Sequence, residues 1–121
     1  MDSSQFKNMA SGMASYMTSK KEKIEKISQW LTETDRKTYV YGYTDLLKLD
    51  LRETLKKVKA KTLILGATFP DATVAKTNYQ NQYSNLANKQ IEMVADSKHF
   101  IMFDQPELFY KKANSFLTDA N

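Results

Sequence analysis

The chain has 121 residues, of which 41% are hydrophobic and 26% charged, with a formal net charge of +4. This composition is typical of a folded globular protein of about one domain and excludes an intrinsically disordered chain. Because the sequence contains no cysteine and a single histidine, it excludes a disulfide framework and argues against a zinc site.

Several further classes of function lack their sequence signatures. No apolar run reaches the roughly 18 residues of a membrane span, and the first 19 residues do not have the pattern of a signal peptide, so we expect no membrane partner. The densest basic run, Lys56 to Lys61, comes without a nucleic-acid-binding motif, so we expect solvated surface and no nucleic-acid partner. There is no glycine-rich phosphate loop, and we expect no cofactor and no metal. The compartment in which the protein acts is left open.

The first 49 residues carry three amphipathic helix patterns. Apolar side chains recur at spacings of three and four over residues 3 to 18 and again over residues 20 to 33. Asp35 then offers an N-cap for a third helix, in which Tyr39, Tyr43 and Leu47 align. We therefore treat residues 1–49 as an all-helical segment.

Strand patterns begin only in the second segment, residues 50–121. After a short predicted helix from Leu51 to Val58, the apolar run Leu63-Ile64-Leu65 ends at Gly66 and predicts a strand covered on both faces. A helix from Ala72 to about Asn88 follows. We then predict a second strand over residues 90–95 and a closing helix from 105 to about 120. Because a strand, a helix and a strand in this order form parallel pairs, the predicted fold class is α/β, with a short parallel βαβα unit.

The single histidine, His99, lies on the link between the second predicted strand and the closing helix. Open α/β sheets place their reactive side chains at the carboxyl ends of their strands, so this link is the strongest candidate for a site. Asp71 lies on the corresponding link after the first strand. It is 28 residues before His99, which is enough for one helix and one strand to bring the two links to the same edge.

The second segment resembles the last third of an α/β-hydrolase. The resemblance covers about 70 residues and rests on motifs in the expected order, namely Asp50-Leu51-Arg52, Lys61 to Gly66, His99-Phe100, Pro106-Glu107 and Phe116-Leu117. It implies a partial α/β-hydrolase fold in which the helices of residues 1–49 take the place of part of a cap. Two positions depart from the usual pattern. Lys98 precedes the histidine where glycine is common, and Phe69 is the third residue after Gly66 where an aspartate is common.

The resemblance also implies catalytic roles. His99 would be the general base of a serine hydrolase, and Asp71, the acid on the loop after Gly66, would orient it. Asp71 could equally be the N-cap of the following helix, and His99 could be a loop histidine with a structural hydrogen bond. Asp96 and Asp104 flank His99, and we predict a turn residue and a helix cap for them.

The sequence lacks a nucleophile elbow, which needs Gly-x-Ser-x-Gly or a close variant on a tight turn. None of the three glycines lies two residues from a serine. We therefore predict a C-terminal hydrolase fragment that is inactive alone and acts on a small ester or other acyl substrate only when an N-terminal half supplies the serine. The alternative is a non-catalytic interaction module that forms homo-oligomers through an exposed sheet edge.

Overall fold

Six α-helices and a two-stranded parallel sheet make up residues 2–118, the part of the chain that the computed structural model describes. The described residues divide into two units, with the boundary between Asp50 and Leu51. The first unit is entirely helical, and the second holds both strands. The structure is therefore mixed α/β with a predominance of helix.

The helical unit contains α1 (Ser3–Met17), α2 (Lys21–Glu33) and α3 (Arg36–Lys48). As predicted, Asp35 caps α3, and its carboxylate accepts a hydrogen bond from the Thr38 N–H at 2.9 Å. That bond and a second one from the Thr38 hydroxyl lower the pKa of the Asp35 carboxyl. Helix α1 begins with a capping box that we did not predict, in which Asp2 and Gln5 exchange hydrogen bonds.

Packing differs among these three helices. Ala10 and Ala14 of α1 are fully buried, and α2 contributes the buried Ile27, so the first two helices lie close together. Helix α3 contains no buried residue, and its Leu46 and Leu47 are 61% and 71% exposed. No helix within residues 2–118 is both long enough and apolar enough to cross a membrane.

The second unit begins with a 3₁₀ turn and continues as strand, helix, strand and two helices. These elements are the turn Thr54–Lys57, β1 (Thr62–Ala67), α4 (Ala72–Gln82), β2 (Lys89–Val94), α5 (Ile101–Asp104) and α6 (Pro106–Thr118). The two strands pair in parallel, which confirms the prediction from their order. Val94 and Leu86 are 1% and 2% exposed and mark the centre of the core of this unit.

Helices α4 and α6 cover opposite faces of the sheet. Gly66 of β1 faces α4, because a Cβ atom at this position would lie 2.8 Å from the ring of Tyr79. Glu92 of β2 pairs in register with Leu65, and therefore lies on the other face. There its carboxylate forms an ion pair with Lys112 of α6 at 2.6 Å. The sheet is thus a thin middle layer between two helices.

Two predicted helices differ from those observed. The helix expected from Leu51 to Val58 is only the 3₁₀ turn, and both of these residues are at least 36% exposed. Helix α4 ends at Gln82 and not near Asn88. After it, the Asn85 amide donates to the Arg52 carbonyl and the Asn88 amide to the Lys59 carbonyl. These two bonds hold the chain after α4 against the backbone at residues 52 and 59.

The closing helix and the first strand also depart from expectation. The closing helix is two elements, since α5 ends at Asp104 and α6 begins at Pro106, and its predicted end near Ala120 lies outside the described residues. The apolar residues of β1, expected to be covered on both faces, are only half-buried at Leu63, Ile64 and Leu65. The reason is that β1 has one neighbouring strand within residues 2–118.

Candidate active site

Two short loops leave the sheet at the same end, where the carboxyl ends of both strands lie. Strand β1 ends at Ala67 and β2 ends at Val94, and these residues are opposite each other in the parallel register. We call residues 68–71 the first rim loop and residues 95–100 the second rim loop. Since the carboxyl ends of parallel strands meet at one edge, the candidate residues Asp71 and His99 are brought to a common side of the sheet.

The first rim loop ends as the N-cap of α4. The Asp71 carboxylate accepts a hydrogen bond from the Val74 N–H at 2.8 Å, so the capping interaction that we considered from sequence is present. Asp71 itself is exposed. At the other end of the loop, the Thr68 hydroxyl donates to the Val94 carbonyl oxygen at 3.3 Å and ties the loop to β2.

The second rim loop turns back sharply after β2. Asp96 has a φ of 52°, the left-handed conformation that aspartate tolerates better than most residues, in keeping with its predicted role in a turn. The Ser97 side chain is buried, and its hydroxyl donates to the Val94 carbonyl oxygen at 2.8 Å. The Val94 carbonyl therefore anchors both rim loops.

His99 projects from the second rim loop with its side chain exposed. Its ring lies edge-on to Phe100, with 5.4 Å between the centroids, and Phe100 in turn stacks on Phe103. The ammonium of Lys98 lies over the Phe69 ring, 4.8 Å from its centroid, and so connects the two rim loops. Lys98, the residue directly before His99, thus makes a cation–π contact across the rim.

A cavity of about 360 Å³ opens between the rim loops and α4. Both candidate residues line it, together with mostly apolar groups, namely Ala67, Phe69, Pro70, Asp71, Val74, Ala75, Asn78, Tyr79 and His99. No hydrogen bond joins Asp71 to His99 within residues 2–118, although both line the cavity. An imidazole at an apolar cavity that opens to solvent can exchange a proton with a bound molecule.

Glycine at position 66 allows one wall of this cavity to form. An added Cβ would lie 2.8 and 2.9 Å from two ring carbons of Tyr79 and 3.1 Å from the sulfur of Met93. Real Cβ atoms do not approach other heavy atoms so closely, so a larger residue here would push the Tyr79 ring. The glycine that ends the apolar run in the sequence is thus explained by close packing against α4.

Sequence reasoning missed the residues that hold the second rim loop from below. Asp104, for which we predicted a helix cap, has a buried carboxylate that accepts a hydrogen bond from the Lys98 N–H at 2.7 Å. Its neighbour Gln105 donates from its side-chain amide to the Asp96 carbonyl oxygen at 3.2 Å. Only the proximity of these polar residues to His99 in the sequence could have indicated such a role.

Other candidate sites are weaker. A larger open groove of about 590 Å³ lies between α1 and α2, but it is lined mainly by lysine, serine and amide side chains and does not include the histidine. Ser11, beside Gly12, lies within α1 and follows no strand. No three His, Asp or Glu side chains of the described range gather into a possible metal site.

Comparison with known proteins adds no relative. No protein-family model matches the chain, and neither a curated protein nor a solved structure matches it.

Proposed function

We propose that this chain is the C-terminal portion of an α/β-hydrolase and supplies the general base, His99, to an ester or acyl hydrolase. The observation that carries the proposal is the cavity at the carboxyl edge of the parallel sheet, which is lined by both His99 and Asp71. These two residues are far apart in the sequence, and the βαβ order brings them together. In this proposal the helices of the first unit belong to a cap.

The chemistry follows from the groups at the cavity. His99 takes the proton of a serine hydroxyl as that oxygen attacks the acyl carbon, and then gives the proton to the departing alcohol or amine. Water attacks the acyl-enzyme in the same way and releases the acid. Asp71 would stabilise the imidazolium through its carboxylate. One oxygen of that carboxylate, Oδ1, already accepts the Val74 N–H as the cap of α4. The apolar walls, which include Phe69 and Val74, favour a small acyl or aromatic group as the substrate.

In this proposal the serine comes from outside residues 1–121. Ser97 is the serine closest to His99 in the sequence, but it is buried and bonded to the Val94 carbonyl within the described structure. We therefore expect the purified chain to leave a chromogenic short-chain ester unhydrolysed. Hydrolysis by the 121-residue chain alone would contradict this proposal.

The positive test is reconstitution. The chain is mixed or co-expressed with the polypeptide encoded immediately upstream, and ester hydrolysis is measured. We expect activity that appears only in the mixture and falls about a hundredfold or more with His99→Ala, since general bases contribute about that much. Activity that survives His99→Ala would refute the role of the histidine. An upstream frame without a nucleophile elbow would remove the basis for the fragment proposal.

A second candidate function, an interaction module that forms homo-oligomers, is favoured by the outer edge of β1. The Thr62 N–H donates to the Asn88 carbonyl, so alternate residues of β1 bond to β2. The backbone groups of Leu63, Leu65 and Ala67 therefore point away from β2. This edge carries no charged side chain, whereas β2 contains Lys89 and Glu92. Uncharged apolar edges promote pairing with another strand.

Sizing the chain at two concentrations tests this candidate. Leu65→Pro removes an outward N–H without removing a β1–β2 hydrogen bond, so it should abolish an edge-paired dimer. Leu65→Ala is the matched control, because it shortens the same side chain but keeps the N–H. If a dimer persists in both variants, the edge of β1 does not form the interface. If the chain is monomeric at every concentration, the homo-oligomer candidate is wrong.

A further inference from the structure

A buried carboxylate lies beneath the histidine loop. Asp104, the last residue of α5, is only 5% exposed. Burying an ionised carboxylate is costly unless hydrogen bonds or charges compensate it. A buried aspartate is therefore expected to have hydrogen-bond donors beside its carboxylate oxygens.

Asp104 accepts a hydrogen bond from the residue directly before His99. The Lys98 N–H donates to Oδ2 of Asp104 at 2.7 Å, a distance typical of a charge-assisted hydrogen bond. This bond closes a ring of seven residues, with His99 inside it. The Asp104 N–H also donates to the Phe100 carbonyl at 3.1 Å, so the same residue is tied to the loop on both sides of His99.

The histidine ring has no anchor of its own in the described structure. It makes no hydrogen bond within residues 2–118, and its ring contact is with the adjacent Phe100. The direction of the imidazole therefore depends on the backbone from which it projects. The interactions that hold this backbone next to His99 include the bond from the Lys98 N–H to Asp104 and the contact of the Lys98 ammonium with Phe69.

We propose that Asp104 is a positioning residue for His99, and that its carboxylate holds the Lys98 amide so that the imidazole faces the cavity it shares with Asp71. The catalytic meaning of this role rests on the proposed function. The positioning itself is a property of the chain alone and can be measured without any enzymatic activity.

The experiment uses amide exchange and histidine ring signals by NMR on the 121-residue chain, where the single histidine gives one unambiguous set of ring resonances. In the native chain the Lys98 amide should exchange slowly. In Asp104→Ala it should exchange about tenfold faster or more, because the hydrogen bond that protects the amide is lost. The His99 ring resonances should move towards the values of an unstructured peptide. Asp104→Asn keeps an acceptor oxygen and should restore most of the protection.

The control is Ile101→Val, which trims a buried side chain of the same short helix and leaves the carboxylate in place. It should lower overall stability without releasing the Lys98 amide or shifting the His99 ring signals. Equal changes in Ile101→Val and Asp104→Ala at matched stability would show that Asp104 is only structural and would overturn the proposal. A Lys98 amide that exchanges as fast as exposed amides in the native chain would overturn it even if the Asp104 variants fail to fold. Failure of the reconstitution experiment would leave these measurements unaffected.

Discussion

The first rim loop holds Asp71 through a surface helix cap, whereas the second rim loop holds His99 from beneath through buried side chains. Asp71 is exposed and already bonded to the Val74 N–H. His99 is also exposed, but the groups that place it, Ser97 and Asp104, are 3% and 5% exposed. The aspartate thus has a structural task of its own, and the histidine has none within the described residues. A substitution at His99 should therefore affect catalysis without affecting stability. At Asp71 the two effects can be told apart only by comparing matched variants.

The largest loss of stability is expected at Gly66, which packs against Tyr79 in the wall of the cavity between the two rim loops. Gly66→Ala would force a Cβ against Tyr79, which lines the cavity beside both candidate residues. We expect the free energy of unfolding to fall by about 1–3 kcal/mol, as overpacking usually costs, with a changed environment for the Tyr79 ring. Urea unfolding and tyrosine NMR signals measure the two effects.

Gly12→Ala is the control for that substitution. A Cβ at Gly12, within α1, would meet no atom within 4 Å. Because alanine is a better helix former, this variant should be more stable by up to about 1 kcal/mol. If Gly66→Ala were stabilising as well, Tyr79 would not be packed against β1 as described and would not form this wall of the cavity.

The next effect concerns the double role of Asp71. Asp71→Ala removes the cap of α4 and should cost about 1 kcal/mol, within the range of 0.5–2 for helix caps. Asp71→Asn can still accept the Val74 N–H and should unfold at nearly the native urea concentration. In the reconstituted enzyme, however, Asp71→Asn lacks the carboxylate charge and should lower activity about as much as Asp71→Ala does. Full activity in Asp71→Asn would leave Asp71 with the cap as its only role.

Asp35→Ala gives a matched comparison in the other unit, because Asp35 caps α3 in the same way. It should reduce stability without affecting reconstituted activity. The hydrogen bond from the Thr38 N–H lowers the pKa of Asp35, so its stabilising effect is present above the usual carboxyl pKa. That effect should disappear as the pH falls through the lowered value, and acid titration of Asp35→Ala against the native chain measures the loss.

Ser97→Ala probes the buried support of the second rim loop. The Ser97 hydroxyl donates to the Val94 carbonyl, which also accepts from Thr68 and so keeps one partner in the variant. The loss should therefore be near the usual value for one hydrogen bond, about 1 kcal/mol. Thr68→Val removes the other donor and is the matched variant on the first rim loop. A double mutant much less stable than the sum of the two would confirm that Val94 anchors both loops.

The order of the elements and the meeting of the two rim loops could be predicted from the sequence. Periodicity marks α1 to α3, the apolar run ending at Gly66 marks β1, and the order of strand, helix and strand specifies a parallel pair. The position of His99 after β2 then places it at the rim. These features depend on local pattern and on one topological rule, so a single sequence suffices for them.

The features that sequence could not give depend on contacts between distant residues. Helix α4 ends at Gln82, and asparagine side chains after it bond to the backbone at residues 52 and 59, partners that the local sequence does not indicate. Asp104 lies two residues before Pro106, and nothing in the sequence indicates that its carboxylate is buried against the Lys98 N–H. The half-burial of β1 depends on how many strands the sheet has. Its apolar sequence alone indicated full coverage.

The smallest effect on stability is expected at His99 itself, and its smallness is the useful result. The ring is exposed and makes no hydrogen bond within residues 2–118, so His99→Ala should change the free energy of unfolding by less than about 0.5 kcal/mol. Phe100→Ala, which removes the neighbouring half-buried ring, is the control and should be clearly destabilising. Urea unfolding of both variants gives the comparison. A loss of more than about 1 kcal/mol in His99→Ala would show that the imidazole supports the fold, as loop histidines with internal partners do. A loss near zero, together with absent activity in the reconstituted enzyme, is what a histidine placed for proton transfer should give.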